Sequence, residues 1–169
     1  SPGIAGRFSF SAQRCRQWQL CGTARERSTS MSSKKPIELA GVIPFRRGEA
    51  DWEFLVITSR KGHWIFPKGV ISRNETPAEA ARKECAEEAG VRGSILGAPV
   101  GSYQDRRRKH PCVVEMFLLQ YEGETDWKEE DFRRRLWCGF DEASRRLRKE
   151  PVRELLARAV ELLEQLPIP

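Results

Sequence analysis

Apolar positions along the chain follow two periods, and the change from one to the other marks the elements. Ile37, Leu39, Val42, Ile43 and Phe45 form a partly alternating run. After the turn residues Arg47-Gly48-Glu49-Ala50-Asp51, Trp52 to Thr58 forms a second run rich in β-branched and aromatic residues. Alternation with a polar break predicts two strands joined as a hairpin. Pro44 has no N–H to give a ladder, which predicts an edge or interrupted strand for the first run. Further on, Ser94-Ile95-Leu96 and Val100 to Tyr103 predict a broken strand. Cys112 to Leu119 predicts a strongly apolar strand, and Arg133 to Phe140 a final one. The period changes to that of a helix where Val152, Leu155, Leu156, Ala159, Val160, Leu163 and Leu166 share one face. This helix is expected to start near Pro151 and to pack on the sheet opposite an earlier helix.

That earlier helix carries its own punctuation. Thr76 is a good N-cap, Pro77 suits the first helical position, and Glu79 completes a T-x-x-E capping box. Gly90 supplies a residue able to turn left-handed, so the helix is predicted to run to Ala89. Ala78, Ala81, Cys85 and Ala89 gather on one side, small and apolar enough to lie close to a sheet. Glu84, Glu87 and Glu88, at i, i+3 and i+4, bring like charges together on another surface, a mildly destabilising arrangement unless a cation offsets it. Clustered carboxylate oxygens suit a hard ion such as Mg²⁺ that bridges protein and phosphate. A merely solvated acidic face is the alternative.

Gly69, Glu75, Lys83, Glu84, Glu87, Glu88 and Gly90 stand in the order G-x5-E-x7-[RK]-E-U-x-E-E-x-G-U, with Cys85 and Val91 at the apolar positions. This pattern resembles the Nudix box. The resemblance covers roughly residues 36 to 166 and implies an α/β fold, an α/β/α sandwich around a central mixed β-sheet. It also implies hydrolysis of a diphosphate linked to another moiety. It implies further that Mg²⁺, with Mn²⁺ as a substitute, is held by Glu84, Glu87, Glu88 and the Gly69 carbonyl. Glu84 or Glu87 is the leading general base. Glu115, the one acid inside the apolar strand 112–119, is a further candidate, with outward alternation as the alternative. One position departs from the family: Lys83 replaces the usual Arg that braces the loop glutamate, here Glu75, and brings a point charge instead of a fork.

The flanking residues narrow the substrate. His63-Trp64-Ile65-Phe66-Pro67-Lys68-Gly69 has a W-x-F-P-K-G form similar to Nudix enzymes for dinucleoside polyphosphates, and Lys68 is placed to meet a phosphate. Trp64 and Phe66 are read as core residues before a stacking platform. The basic run Arg106-Arg107-Arg108-Lys109-His110 is expected in a hairpin loop. Its Arg108-Lys109-His110 portion resembles the loop of diphosphoinositol polyphosphate phosphohydrolases, where such residues contact ring phosphates. The R-x-x-W-x-x-F arrangement that starts at Arg134 resembles the same branch; Arg133 and Arg135 are read either as substrate contacts, Arg135 in particular, or as sheet-surface charges. Ile37 and Glu38 stand where that branch tends to be basic, which weakens the match for the most phosphorylated ligands. A nucleoside triphosphate pyrophosphohydrolase is the alternative enzyme. A Nudix-fold nucleotide- or RNA-binding protein is the alternative outside catalysis, disfavoured because every box glutamate is present.

Composition sets the remaining bounds. A chain of 169 residues with 39% hydrophobic and 32% charged residues is enough for one soluble globular domain. No apolar run approaches the roughly 20 residues that cross a bilayer. Five cysteines with no C-x-x-C pair argue against a zinc site or disulfide framework and predict a reducing, cytoplasmic setting. Of the net charge of +6, most belongs to residues 1–30, where Arg7, Arg14, Arg16, Arg25 and Arg27 face Glu26 alone. A high pI is thus no argument for nucleic acid binding by the folded part, and a small-molecule polyphosphate is the expected partner. Residues 1–35 are expected to be a disordered tail, with 36–169 the Nudix domain. The tail reads as residues appended before a natural start at Met31, in preference to an Arg-rich organelle-targeting peptide.

Overall fold

The computed structural model describes residues 35–166, so the expectations for the N-terminal tail lie outside the described residues. Ten elements follow in order: β1 (Ile37–Arg47), β2 (Trp52–Thr58), β3 (Trp64–Ile65), β4 (Lys68–Val70), α1 (Pro77–Ala89), β5 (Val91–Arg107), β6 (His110–Glu124), β7 (Arg135–Cys138), α2 (Phe140–Arg146) and α3 (Glu150–Gln165). The strands make one mixed seven-stranded sheet in the order β3-β2-β1-β6-β5, with β4 beside β1 and β7 beside β2.

Strand β1 is the spine. It runs parallel to β6 from Ile37↔Cys112 to Phe45↔Gln120. On its other side it pairs antiparallel first with β4, at Leu39 to Gly41, and then with β2, at Phe45 to Arg47. The expected β1–β2 hairpin is present, but the edge position expected from Pro44 is not: β1 is an interior strand. Pro44 falls between Gly41 and Phe45, where β1 exchanges one neighbour for the other, so its missing N–H coincides with a break in the ladder.

The expected broken strand is instead one long strand, β5. It crosses its irregularity through a register shift between Leu96 and Gly101. It returns as β6 through a two-residue turn in which Arg108 (φ 49°) and Lys109 (φ 70°) are both left-handed, between the paired residues Arg107 and His110. Positive φ at both central residues is the geometry that matches the twist of a tight hairpin. The last strand is shorter than expected: β7 starts at Arg135, leaving Arg133 in the preceding loop, and Phe140 opens α2.

A separate apolar core lies on each face of the sheet. Ala80, Ala81, Cys85 and Ala89 of α1 pack on Val42, Leu55, Ile57 and Leu119. Leu155, Leu156, Ala159 and Leu163 of α3 belong with Ile43, Val56, Val114 and Leu118. Alternate residues of β1 and β6 thus serve opposite layers, as the period of a strand requires. The result is the α/β/α sandwich implied by the sequence, with the two helices on opposite faces.

Candidate active site

The site begins with the rigid setting of α1. Thr76 Oγ1 accepts the Glu79 N–H and the Glu79 carboxylate accepts the Thr76 N–H at 2.8 Å, completing the capping box. Gly90 closes the other end with φ 64° and its N–H donated to Ala86. Trp127 Nε1 donates to the Glu88 carbonyl at 2.8 Å and Arg135 Nη1 to the Ala89 carbonyl at 2.7 Å. Carbonyls left over at a helix C-terminus therefore find donors.

Upstream, Lys83 Nζ stands 2.8 Å and 2.9 Å from the two oxygens of Glu75, and Glu75 also accepts the Ser72 N–H at 3.1 Å. The lysine thus makes the brace of the loop glutamate that the family usually builds with arginine. The Lys83 hydrogen bond, with that of Ser72, holds the Glu75 carboxyl below its ordinary range.

Strand β4 passes so near α1 that a side chain at position 69 would displace the Glu84 carboxylate. A Cβ there would lie 2.0 Å from Glu84 Cδ and 2.1 Å from Oε1. The backbone of Gly69 and the Glu84 carboxylate therefore face each other directly. Burial pushes the Glu84 carboxyl above its ordinary range; Lys83 pulls it down, while Glu87, Glu129 and Glu75 push it further up.

Glu88 has a different environment. One oxygen accepts the Lys68 backbone N–H at 2.9 Å and the other is paired with the Arg133 guanidinium. Arg133 is itself buried, donating to the Thr58 carbonyl at 2.8 Å and pairing with Glu129. Burial nevertheless pushes the Glu88 carboxyl up to about 7, with Arg133 and the Lys68 N–H opposing it incompletely. Glu87 lies nearer the surface, with Lys128 Nζ 2.7 Å from its Oε1.

Two cavities open beside these carboxylates. The first, about 630 Å³, is bordered by Glu84, Glu87 and Glu88 on one side and by Lys68, Arg107 and Arg133 among its cations. The second, about 570 Å³, shares Lys68, Asp105 and Arg107 with the first and continues over Trp64, Tyr103 and Lys149. Asp105 is held by Lys149 and its Oδ2 lies 3.9 Å from Lys68 Nζ. Burial alone would raise the Asp105 carboxyl; Lys149, the Arg106 N–H and Lys68 turn the shift downward.

The profile of the NUDIX domain matches residues 36–159. The chain belongs to the Nudix family. Nudix hydrolase 18, mitochondrial, of Arabidopsis thaliana is 31% identical over 153 residues, 84% of this chain and 86% of the relative. Nudix hydrolase 16, mitochondrial, of the same plant is 34% identical over 125 residues, 62% of this chain and 69% of the relative. Diphosphoinositol polyphosphate phosphohydrolase 2 of Rattus norvegicus is 35% identical over 107 residues, 62% of this chain and 59% of the relative. Among solved structures, a C. elegans Ap4A hydrolase binary complex shares the Nudix fold with a TM-score of 0.66 at 21% identity, over 77% of this chain and 99% of that one. The protein is a Nudix hydrolase acting on diphosphate bonds.

Within this Nudix chain the expected residues separate into three groups. Lys68, Gly69, Glu84, Glu87 and Glu88 surround the first cavity. Glu84, Glu87 and Glu88 share a helix, yet among the described residues no three acidic side chains stand close enough to hold one ion, because Glu87 turns to Lys128 and Glu88 to Lys68 and Arg133. The donors nevertheless fit a hard cation: Glu84 meets the glycine backbone without an obstructing Cβ, and Glu87 needs only to leave an exposed lysine. Arg108 lines the second cavity, while Lys109 and His110, exposed at the hairpin tip, line neither.

Glu115 and Arg135 lie apart. Glu115 is half-buried on the α1 face of the sheet, on the same rung as Ala40 and Gly69, but outside the lining of both cavities. Arg135 caps the C-terminus of α1, pairs with Glu124 and lies over the Trp127 ring at 4.5 Å, outside the lining of both cavities. Arg133, read as a substrate contact or surface charge, is the buried partner of Glu88. Phe66 is core, as expected; Trp64 is half-buried beneath Arg146, 4.9 Å from its ring, and also borders the second cavity. The roles of Asp105, Arg106 and Arg107 had no signal of their own beyond the basic run, since only the β5–β6 register brings them beside Lys68.

Proposed function

We propose that this Nudix hydrolase uses a divalent cation, Mg²⁺ or Mn²⁺, to cleave a phosphoanhydride bond in a highly phosphorylated small molecule, either a diphosphoinositol polyphosphate or a diadenosine polyphosphate. The observation that carries the reading is the juxtaposition of Glu84 and Gly69 with Lys68, Arg107 and the other cations around two adjoining cavities. A lone triphosphate needs fewer positive partners. The likeness to the rat phosphohydrolase and to the Ap4A hydrolase fold supports the same substrate class.

Glu84, Glu87 and the Gly69 carbonyl would hold the ion, with Glu88 added if it leaves its present partners. When bound, the ion neutralises diphosphate charge and lowers the pKa of an attacking water. Glu84 is the leading base because its carboxylate faces the Gly69 backbone in the wall of the first cavity, where the reacting diphosphate would lie. Glu87 is the next candidate, and Glu115 follows from its place on the Gly69 rung. Lys68 and Arg107 face the substrate phosphates and stabilise the charge that gathers on the leaving group. Glu88 fastens the Lys68 backbone to α1, which fixes the Gly69 approach.

The test is turnover of a diphosphoinositol polyphosphate, diadenosine penta- and hexaphosphate and a nucleoside triphosphate, each with Mg²⁺ and each repeated with Glu87→Gln. We expect turnover of the first two classes and a loss of at least about 100-fold in the variant. Preference for the triphosphate would turn the reading to nucleotide-pool cleaning, and tight binding without turnover to a binding protein. The cytoplasm is the proposed compartment. Both Arabidopsis relatives are named mitochondrial, so import of a reporter fused behind residues 1–30 would overturn that assignment.

A further inference from the structure

A cleft suited to anions has an acid in its wall. Among the described residues bordering the second cavity, Asp105 is the only carboxylate, and it borders the first cavity as well. Its side chain is 13% exposed and belongs to three groups at once. Oδ1 pairs with Lys149, the N-cap residue of α3, and accepts the Arg106 N–H at 2.7 Å. Oδ2 lies 3.9 Å from Lys68 Nζ at the entrance to β4. Two of the cations that a polyphosphate would meet are therefore already matched by a negative charge built into β5.

We infer that Asp105 is a specificity-determining residue: by engaging Lys68 and Lys149 and adding its own charge to the wall shared by the cavities, it sets an upper limit on the phosphate charge accepted there. The inference rests on the proposed polyanionic substrate and refines it, favouring the less phosphorylated members of that class. A strut that only held β5 to α3 would affect all ligands alike. A fixed negative charge acts differently, because its cost rises with every charge the ligand adds. In a water-like dielectric that cost is about threefold in affinity for one ligand charge at a separation of ~6 Å, with smaller additions from charges held farther away.

Calorimetric titration of wild type, Asp105→Asn and Asp105→Glu with pyrophosphate, tripolyphosphate and inositol hexakisphosphate, in metal-free buffer, separates the two. The Asn variant is expected to bind pyrophosphate a few-fold tighter and inositol hexakisphosphate at least about tenfold tighter. The Glu variant should return the wild-type series, and 0.5 M salt, flattening charge effects to within roughly twofold, should erase the gradient. Equal changes for all three anions, weaker binding, or no binding of any anion to either protein would overturn the inference. If the Asn variant does not fold, Asp105→Ser decides on the same series: a gain of affinity that grows with ligand charge supports the inference, and a uniform or absent gain refutes it. Wild-type turnover of diadenosine tri- to hexaphosphate, measured alongside, tests the substrate reading separately. Its failure leaves the anion titrations to decide the role of Asp105.

Discussion

At Gly69 the absence of a side chain is what the site uses. Because a Cβ would overlap the Glu84 carboxylate, Gly69→Ala must move either β4 or the glutamate. Displacements of about 1 Å cost on the order of 100-fold in rate. We expect kcat to fall by that factor with an unchanged circular dichroism spectrum. Wild-type turnover would show that the close approach is dispensable. Glu88 presents the opposite case, because its carboxylate joins site and scaffold. Glu88→Gln takes one of two anionic partners, the other being Glu129, from a buried guanidinium, and it should cost about 2 kcal/mol in urea unfolding as well as turnover. Activity lost at full stability would make Glu88 a ligand without a structural role. The carboxylates on α1 were legible from spacing alone. Their partners were not, since Arg133 and Lys68 reach Glu88 from residues 45 and 20 positions away in the chain.

Among the elements, α1 is the one whose limits were fully legible, because both of its ends are written in adjacent residues. Thr76→Ala should cost about 1 kcal/mol through the lost cap. The acid limb of stability should report the same device. Glu79 is held below its ordinary value of 4.5 by the Thr76 N–H and hydroxyl, and Glu75 by Lys83 and Ser72. A carboxyl depressed in the folded state stabilises above its unfolded pKa and loses that contribution as pH falls through the folded one. Unfolding measured from pH 6 to pH 3 should therefore show a shallower acid loss in Glu79→Gln than in wild type, and identical slopes would dismiss the contribution. The strands were harder to read. Pro44 is compatible with an interior strand only because β1 changes neighbour there, and no local pattern announces a partner that begins at Trp52 on one side and Lys68 on the other. Arg135 shows the same limit: its position in a short strand gives no hint that its guanidinium reaches the end of α1.

For the molecule as a whole, the site draws on both faces of the sheet: the first cavity borders α1, and the second is walled by Phe66, Tyr103, Leu147 and Val152 of the α3-side core. Leu156 is fully buried under α3, on the face away from α1. Leu156→Ala should cost about 3 kcal/mol while leaving KM unchanged, and a shift in KM would reveal coupling between the layers. The cleft lies at the end of the sheet where β4 meets the β5–β6 hairpin, against the margin of the α3-side core. The hairpin itself holds Arg108 and Lys109 in left-handed backbone, a geometry that costs an L-residue roughly 1–2 kcal/mol. Gly or Asn at either position is therefore rewarded in stability, and at Arg108 the change also removes positive charge from the lining of the second cavity. Such a lining can be retuned by single substitutions that carry no folding penalty. Substitution at Arg108 accordingly alters the charge met by a ligand without touching the glycine–glutamate approach at the other cavity.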